Sequence, residues 1–452
     1  MVQGEETWAN AWLIAIEIKS IDYGSKGEEM LRKCLLIVLI LGMAVPAFGG
    51  GIDNKQNFSS AYAGTLSRNA ATDGADAAAY NPAGLMFLQN GTYVELDLLP
   101  FTFDYDQDFN GDTQTASPDL VAPMAFLVHK REKWAIWGAF TINGGGGETE
   151  YENGNIITQT VENLATAGYF YLQGIPLLPG GTLTNTYAYA ESYDYTFTTG
   201  MSYDLHPMVS IAAGVRYVFT DKEVELHGTY NSDYILAKYD QEADGFGGVI
   251  GIDIHPSDKL NIGIRYETKV NLDWETDTNG SNDLGVDLLG QFNRVDGKNY
   301  ARDLPALLAL GVEWKVLPKL TLKPSFSYFF EKDADWDTQN DAVDGNSYEI
   351  ALAVQYDVNE TWSLTAGYLY IDVDMKPENF GIIEQMSPPL DCHAVAVGAK
   401  YRMTEKLTLI LGFSSYFYEE DTAPSALATN GRPEVTYDKT LYQGGIGIQY
   451  RF

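Results

Sequence analysis

The chain has 452 residues, a formal charge of −33, 30 tyrosines and only two cysteines. So large an acidic excess excludes nucleic acid as a natural partner, because phosphates require a basic face. Beyond the N-terminal region no stretch reaches the ~20 consecutive apolar residues of a membrane helix. What remains is a secreted all-β protein or a membrane β-barrel, in which only every second residue is apolar.

Residues 30–49, MLRKCLLIVLILGMAVPAFG, read as a secretory signal peptide. Arg32 and Lys33 precede an apolar run from Cys34 to Val45, and Ala47-Phe48-Gly49 supplies the small residues of a cleavage site. Met30 is then the expected start, with residues 1–29 an upstream extension. Cys34 opens the apolar run instead of following it, which argues against lipidation. Cys392 alone survives processing, so no intramolecular disulfide is expected.

Residues 50–90 are different in kind. Ser59–Leu88 is rich in Ala, Gly, Asp and Asn and is broken by Asn81-Pro82-Ala83, so it is neither a clean strand nor an amphipathic helix. Ahead of one long β region (residues 91–452), it reads as a small hatch inside a barrel. Pro82 fixes the backbone and lacks a donor, Asn81 can cap or turn the chain, and Asp73 and Asp76 offer charges to a lumen wall. With Ala83 these are the candidate gating residues; a purely structural turn is the alternative.

From Gly91 onward the sequence alternates with period two. Val209, Ile211, Ala213, Val215, Tyr217 and Phe219 share one face, against Ser210, Ala212, Gly214, Arg216, Thr220 and Lys222, with Val218 out of pattern. Leu260–Tyr266 and Trp362–Tyr370 repeat the scheme. Tight turns are expected at Arg131-Glu132, Asp204–Pro207, His255–Asp258, Leu317-Pro318, Val358–Thr361 and Met403–Glu405. Long polar excursions separate them, among them Asn143–Ala190, Thr229–Ala243 and Thr276–Asp303. Short links on one rim and long ones on the other predict a transmembrane antiparallel β-barrel of about fourteen strands. The last strand ends in Tyr450 and Phe452, as suits recognition by the outer-membrane insertion machinery.

Arg216, Arg265 and Lys323 fall on the small, polar face. A cation on the lipid face at mid-membrane costs ~2–4 kcal/mol, so these three are expected to point inward. There they either bind a ligand carboxylate or pair with acids such as Asp73, Asp76 or Glu267. Leu164, Tyr169, Phe170, Tyr171, Leu172, Ile175, Leu177 and Leu178 make the longest loop unusually apolar. Exposed apolar clusters mark binding surfaces, so they are candidates for capture of an apolar molecule; a self-packed loop over the barrel mouth is the alternative. The acidic loop runs around Asp335 and Glu420 are expected to solvate the outer rim or to meet lipopolysaccharide through divalent cations. No histidine or cysteine cluster has metal-site spacing, and no catalytic constellation, metal or cofactor is expected.

Ser59–Gly64, Asp73-Gly74-Ala75-Asp76 and Tyr80-Asn81-Pro82-Ala83-Gly84-Leu85, followed by fourteen strands and a terminal Phe, resemble the FadL/TodX family of outer-membrane transporters. Leu304-Pro305-Ala306 leading into Leu310-Gly311-Val312 is similar to a strand opening of that family. The resemblance implies uptake of hydrophobic molecules, long-chain fatty acids or hydrocarbons, through a lumen site, hatch movement and sideways release. The rival expectations are a surface-binding or adhesion protein anchored by its barrel, and a porin for polar solutes.

Overall fold

The computed structural model describes residues 56–109, 111–155, 158, 171–172, 175–176, 182–278, 294–380, 384–424 and 434–452. The signal peptide, the upstream extension and most of the apolar loop residues lie outside them.

Fourteen antiparallel strands form the wall. They are β1 (Gly91–Phe109), β2 (Asp119–Lys130), β3 (Trp134–Tyr151), β4 (Leu183–His206), β5 (Val209–Tyr230), β6 (Asp233–Ser257) and β7 (Leu260–Glu267). The ring continues with β8 (Ala306–Leu317), β9 (Leu320–Phe330), β10 (Tyr348–Asp357), β11 (Trp362–Asp372), β12 (Cys392–Arg402), β13 (Leu407–Tyr418) and β14 (Glu434–Arg451). β14 pairs with β1 from Thr436↔Asp108 to Arg451↔Tyr93, which closes the sheet into a ring.

The alternation is inverted relative to a soluble sandwich. Ile446 and Ile448 on β14, Val395 and Val397 on β12, and Ile350 and Leu352 on β10 are all about half exposed. Glu95, Asp97, Gln443 and Arg265 on the opposite face are buried. An apolar band facing outward around a polar interior is what a lipid bilayer requires.

The six expected tight turns connect strands on one rim. Two of the expected long excursions are shorter than their polarity suggested. β3 continues to Tyr151 and β4 resumes at Leu183, and β5 and β6 meet at a turn around Asn231, whose φ is 56°. Above the membrane both faces of a strand meet water or other loops, so the ladder persists while the apolar alternation disappears.

The wall's pairing is interrupted at two places. β2 and β3 pair only from Ala125↔Phe140 to Lys130↔Ala135, so Asp119–Met124 have a neighbour in β1 but none in β3. β7 leaves the wall after Glu267, and pairing along that edge of β6 resumes at Glu275↔Glu242. Between them the chain turns inward: Val270 and Leu272 are fully buried, in one apolar cluster with Val218, Ala243 and Trp274. Gly245 and Gly247 lie beneath, where a Cβ would strike Val270. This explains why Val218 breaks the polar pattern of its face.

Residues 56–88 carry two short helices, α1 (Ser60–Ala63) and α2 (Ala77–Tyr80), and a 3-10 turn over Pro82–Phe87. Ser59 caps α1, its hydroxyl accepting from the Tyr62 amide at 3.1 Å. Tyr80 stacks on Tyr62 with centroids 5.6 Å apart. The small residues follow from close approach to the wall: a Cβ on Gly64 would lie 2.9 Å from Gly398 Cα.

Candidate functional site

Residues 56–88 make polar bonds to many strands of the ring, among them β1, β4, β5, β7, β9, β11, β13 and β14. The wall contributes carboxylates from β1. Glu95 accepts from the Ala75 and Asp76 amides at 2.9 and 3.2 Å, and Asp97 accepts from the Ser60 amide at 3.0 Å. Within the segment, Arg68 forks onto Asp76 at 2.5 and 2.9 Å and reaches Asp73 at 2.7 Å. Asp73 also meets Lys400 of β12 at 2.8 Å and Lys323 of β9 at 3.9 Å.

Each residue of Asn81-Pro82-Ala83 is tied to a different strand. The Asn81 amide donates to Asp253 of β6 at 2.5 Å, and Asp253 also accepts from Asn261 of β7 at 2.9 Å. The Pro82 carbonyl accepts from Ser202 of β4 at 2.6 Å, and the Ala83 carbonyl from Ser210 of β5 at 2.8 Å. A proline here holds the turn and has no N–H that would need an acceptor. The arrangement is a three-point contact with adjacent strands.

The three lumen cations are all engaged. Arg216 pairs with Glu267, and Arg265 Nε lies 3.2 Å from the same carboxylate while its Nη2 donates to Gln56 at 2.9 Å. Lys323 lies 2.7 Å from Glu313. Asp76 is joined to Arg68 and to none of these three. Of the apolar loop residues, Tyr171-Leu172 pairs with Ile175-Pro176 in a short ladder; Leu164, Tyr169, Phe170, Leu177 and Leu178 lie outside the described residues.

A cavity of about 320 Å³ lies within the described residues. Phe58 of the N-terminal segment lines it, with Arg216 and Glu267, the inward-turned Leu272 and Trp274, and Asn143 and Gly144 beside the β2–β3 interruption. Phe329, Trp336, Phe380 and Leu304 add apolar surface. A second group of charges meets it from loop and upper-strand positions. Glu384 lies 2.7 Å from Arg294, 3.7 Å from Lys222 and 3.9 Å from Arg302. Burial pushes the Glu384 carboxyl up, but these three cations outweigh it and hold it down at about 2.

Sequence reasoning missed Arg68, Glu95, Asp97, Asp253 and the Glu384 group. Glu95 and Asp97 had a readable signal. They alternate with Val94, Leu96 and Leu98 in a membrane-spanning strand, so their carboxylates had to face the lumen. Arg68 and Glu384 lie where no periodicity orients a side chain.

Residues 195–452 match the family model described as outer membrane protein transport protein (OMPP1/FadL/TodX). Outer membrane protein P1 of Haemophilus influenzae is 23% identical over 428 residues, covering 86% of this chain and 90% of that protein. The same-named protein of strain Rd matches over 190 residues at 24% identity, 39% of its length. Among solved structures, a Pseudomonas aeruginosa FadL homologue superposes with a TM-score of 0.65 at 14% identity, covering 87% of this chain and 98% of that one. The P. putida toluene transporter TodX gives 0.62 at 14% identity, covering 88% and 99%.

Proposed function

Because this chain belongs to the outer-membrane transport proteins grouped as OMPP1/FadL/TodX, we propose that it conducts small hydrophobic molecules across the outer membrane. The molecule is captured at the outer loops, occupies the 320 Å³ cavity, and leaves sideways through the wall. Relatives of the same fold are named as a toluene transporter and a monoaromatic hydrocarbon channel. The cavity suits that size class, since an apolar cavity of about 150 Å³ already accepts benzene.

One observation carries the sideways step: the cavity reaches the place where the wall lacks a ladder. Asn143 and Gly144 line it, and the unpaired stretch Asp119–Met124 stands across the interruption. Six residues of unpaired strand span roughly 20 Å. The Ile142 amide, deprived of a ladder carbonyl, turns to the weak acceptor Met124 Sδ at 3.2 Å, and Pro123 has no N–H to offer. The inward turn after Glu267 is less suited, because Val270 and Leu272 fill it.

The N-terminal segment acts as the hatch. It blocks the axial route, which argues against a porin for polar solutes, and it moves only as far as its wall contacts release it. No energy source is needed, because an amphipathic lumen offers an apolar solute a path around the lipopolysaccharide leaflet.

The test joins the two strands at the base of the interruption. Met124→Cys with Thr141→Cys falls one step above Ala125↔Phe140, so an oxidised pair continues the ladder there. Toluene uptake into cells or vesicles is expected to fall on oxidation and recover with reductant. Equal uptake in both redox states would refute exit at this point. Absence of toluene uptake by the wild type would refute the transport reading itself.

A further inference from the structure

We infer that the cavity holds a binding site for the carboxylate of a small aromatic acid, and that Glu384 occupies this site as the chain's own substitute. The inference rests on the cavity being the transport site. Three cations converge on one carboxylate: Lys222 from β5, and Arg294 and Arg302 from the connection between β7 and β8. Asp194 and Glu191 line the same cavity, and Asp194 feels the charges of Arg302 and Lys222, but among the described residues Glu384 is the carboxylate that lies within 4 Å of all three cations.

Two of the cations are placed without help from Glu384. The Arg294 guanidinium lies over the rings of Tyr239 and Tyr300, 5.6 and 5.2 Å from their centroids. Arg302 lies 5.0 Å over the ring of Trp336. Aromatic faces hold a guanidinium by its charge and its plane, so these forks stay poised when an anion leaves. The backbone beside Glu384 is likewise held independently. The Gln385 amide donates to the carbonyls of Pro377 and Pro424 at 2.9 and 3.2 Å, and Gln107 donates to the Gln385 carbonyl at 3.4 Å. Glu384 is therefore able to swing aside without unseating its turn.

The site also carries hydrogen-bonding capacity that Glu384 does not use. Arg294 is 8% exposed, and its Nε is buried without a partner among the described residues. So is the Ser387 hydroxyl, which also lines the cavity. A carboxylate entering from the cavity meets Arg294 as a bidentate partner. Its apolar body then lies among Trp274, Trp336, Tyr300 and Phe329, which line the same space. Planar aromatic surroundings and a volume of about 320 Å³ favour a monoaromatic acid. Because Glu384 is tethered, it competes as an intramolecular anion at an effective concentration in the millimolar range or above.

The experiment is calorimetric titration of the purified full-length barrel with benzoate and, separately, with toluene. The variants are Glu384→Ala, Glu384→Gln and the double change Lys222→Gln, Arg294→Gln. The readout is the ratio of benzoate to toluene affinity. Removing the internal anion is expected to raise it at least tenfold, and removing the two cations to lower it at least tenfold. Heat-modifiable electrophoretic mobility identifies the variants whose barrels have assembled, and the glutamine series stands if Glu384→Ala does not assemble. A ratio constant within twofold across assembled variants overturns the carboxylate site. Loss of toluene binding in the wild type overturns the underlying cavity reading instead.

Discussion

Replacing Arg68 by Met tests whether the N-terminal segment is held by its buried charges. The Arg68 and Asp76 side chains are each 1% exposed, and the guanidinium forks onto Asp76 with two bonds. Methionine keeps much of the volume but leaves Asp76 with no cation at bonding distance and Glu95 nearby. Breaking a buried pair from one side costs about 3–5 kcal/mol, chiefly because the orphaned charge stays buried. At 1.4 kcal/mol per decade, local opening of residues 56–88 becomes two to four orders of magnitude more populated. Hydrogen-exchange mass spectrometry reads this directly as lost protection at the Ala63, Ala77 and Asn81 amides, which are bonded within the segment. The strands β11–β14 should retain theirs. Planar-bilayer conductance is expected to rise in parallel. Adding Asp76→Asn removes the orphaned charge and should recover part of the loss. Wild-type exchange rates in Arg68→Met, with the barrel intact, would refute the reasoning. A barrel that no longer assembles would make the segment scaffold instead of gate.

Two further outcomes follow from the same contacts. Asp253→Ala removes the acceptor shared by Asn81 and Asn261, at a cost of about 1–3 kcal/mol for the two amides left buried. Leakage of small polar solutes should rise with the barrel's electrophoretic mobility unchanged; unchanged leakage would show that Asn81 is not a hatch anchor. Glu384 gives a pH dependence. Its folded value of about 2 lies below the ordinary 4.5, so its stabilisation is complete above pH ~4.5 and is lost as pH falls toward 2. The total is about 3 kcal/mol. Tryptophan fluorescence and hydrogen exchange around Trp336 should report loosening only in that window, and a transition above pH 5 would assign it to another group.

Much of the wall was legible, because a bilayer enforces a period-two code and charged residues cannot face lipid. Arg216, Arg265 and Lys323 are expected inward by that cost alone; all three are buried and lie beside carboxylates. Legibility ended where the enforcing solvent did. Above the membrane the code lapses, so Thr229–Ala243 read as a loop although β5 and β6 run through it. Val218 looked like an error in its strand until the inward turn of Val270 and Leu272 supplied its neighbours. Within the segment, Asp73 and Asp76 were read as charges available to the lumen wall, but Arg68, which meets both, was not singled out, because a bend in a short irregular chain sets that meeting. The Glu384 cluster joins residues 222, 294, 302 and 384, and no local pattern links positions so far apart.

The seam of this molecule lies between β1 and β14, while the segment proposed as the hatch precedes β1. A ring sealed before the segment arrived would have to be threaded from an end against contacts lining its whole circumference. The circle closes where β1 meets β14, so the segment can be in place before that seam is made. Wrapping the wall around the segment, with the β1–β14 pairing as the clasp, avoids the threading. A mutation that delays β14 would accordingly trap an open sheet around a bound segment, not an empty cylinder.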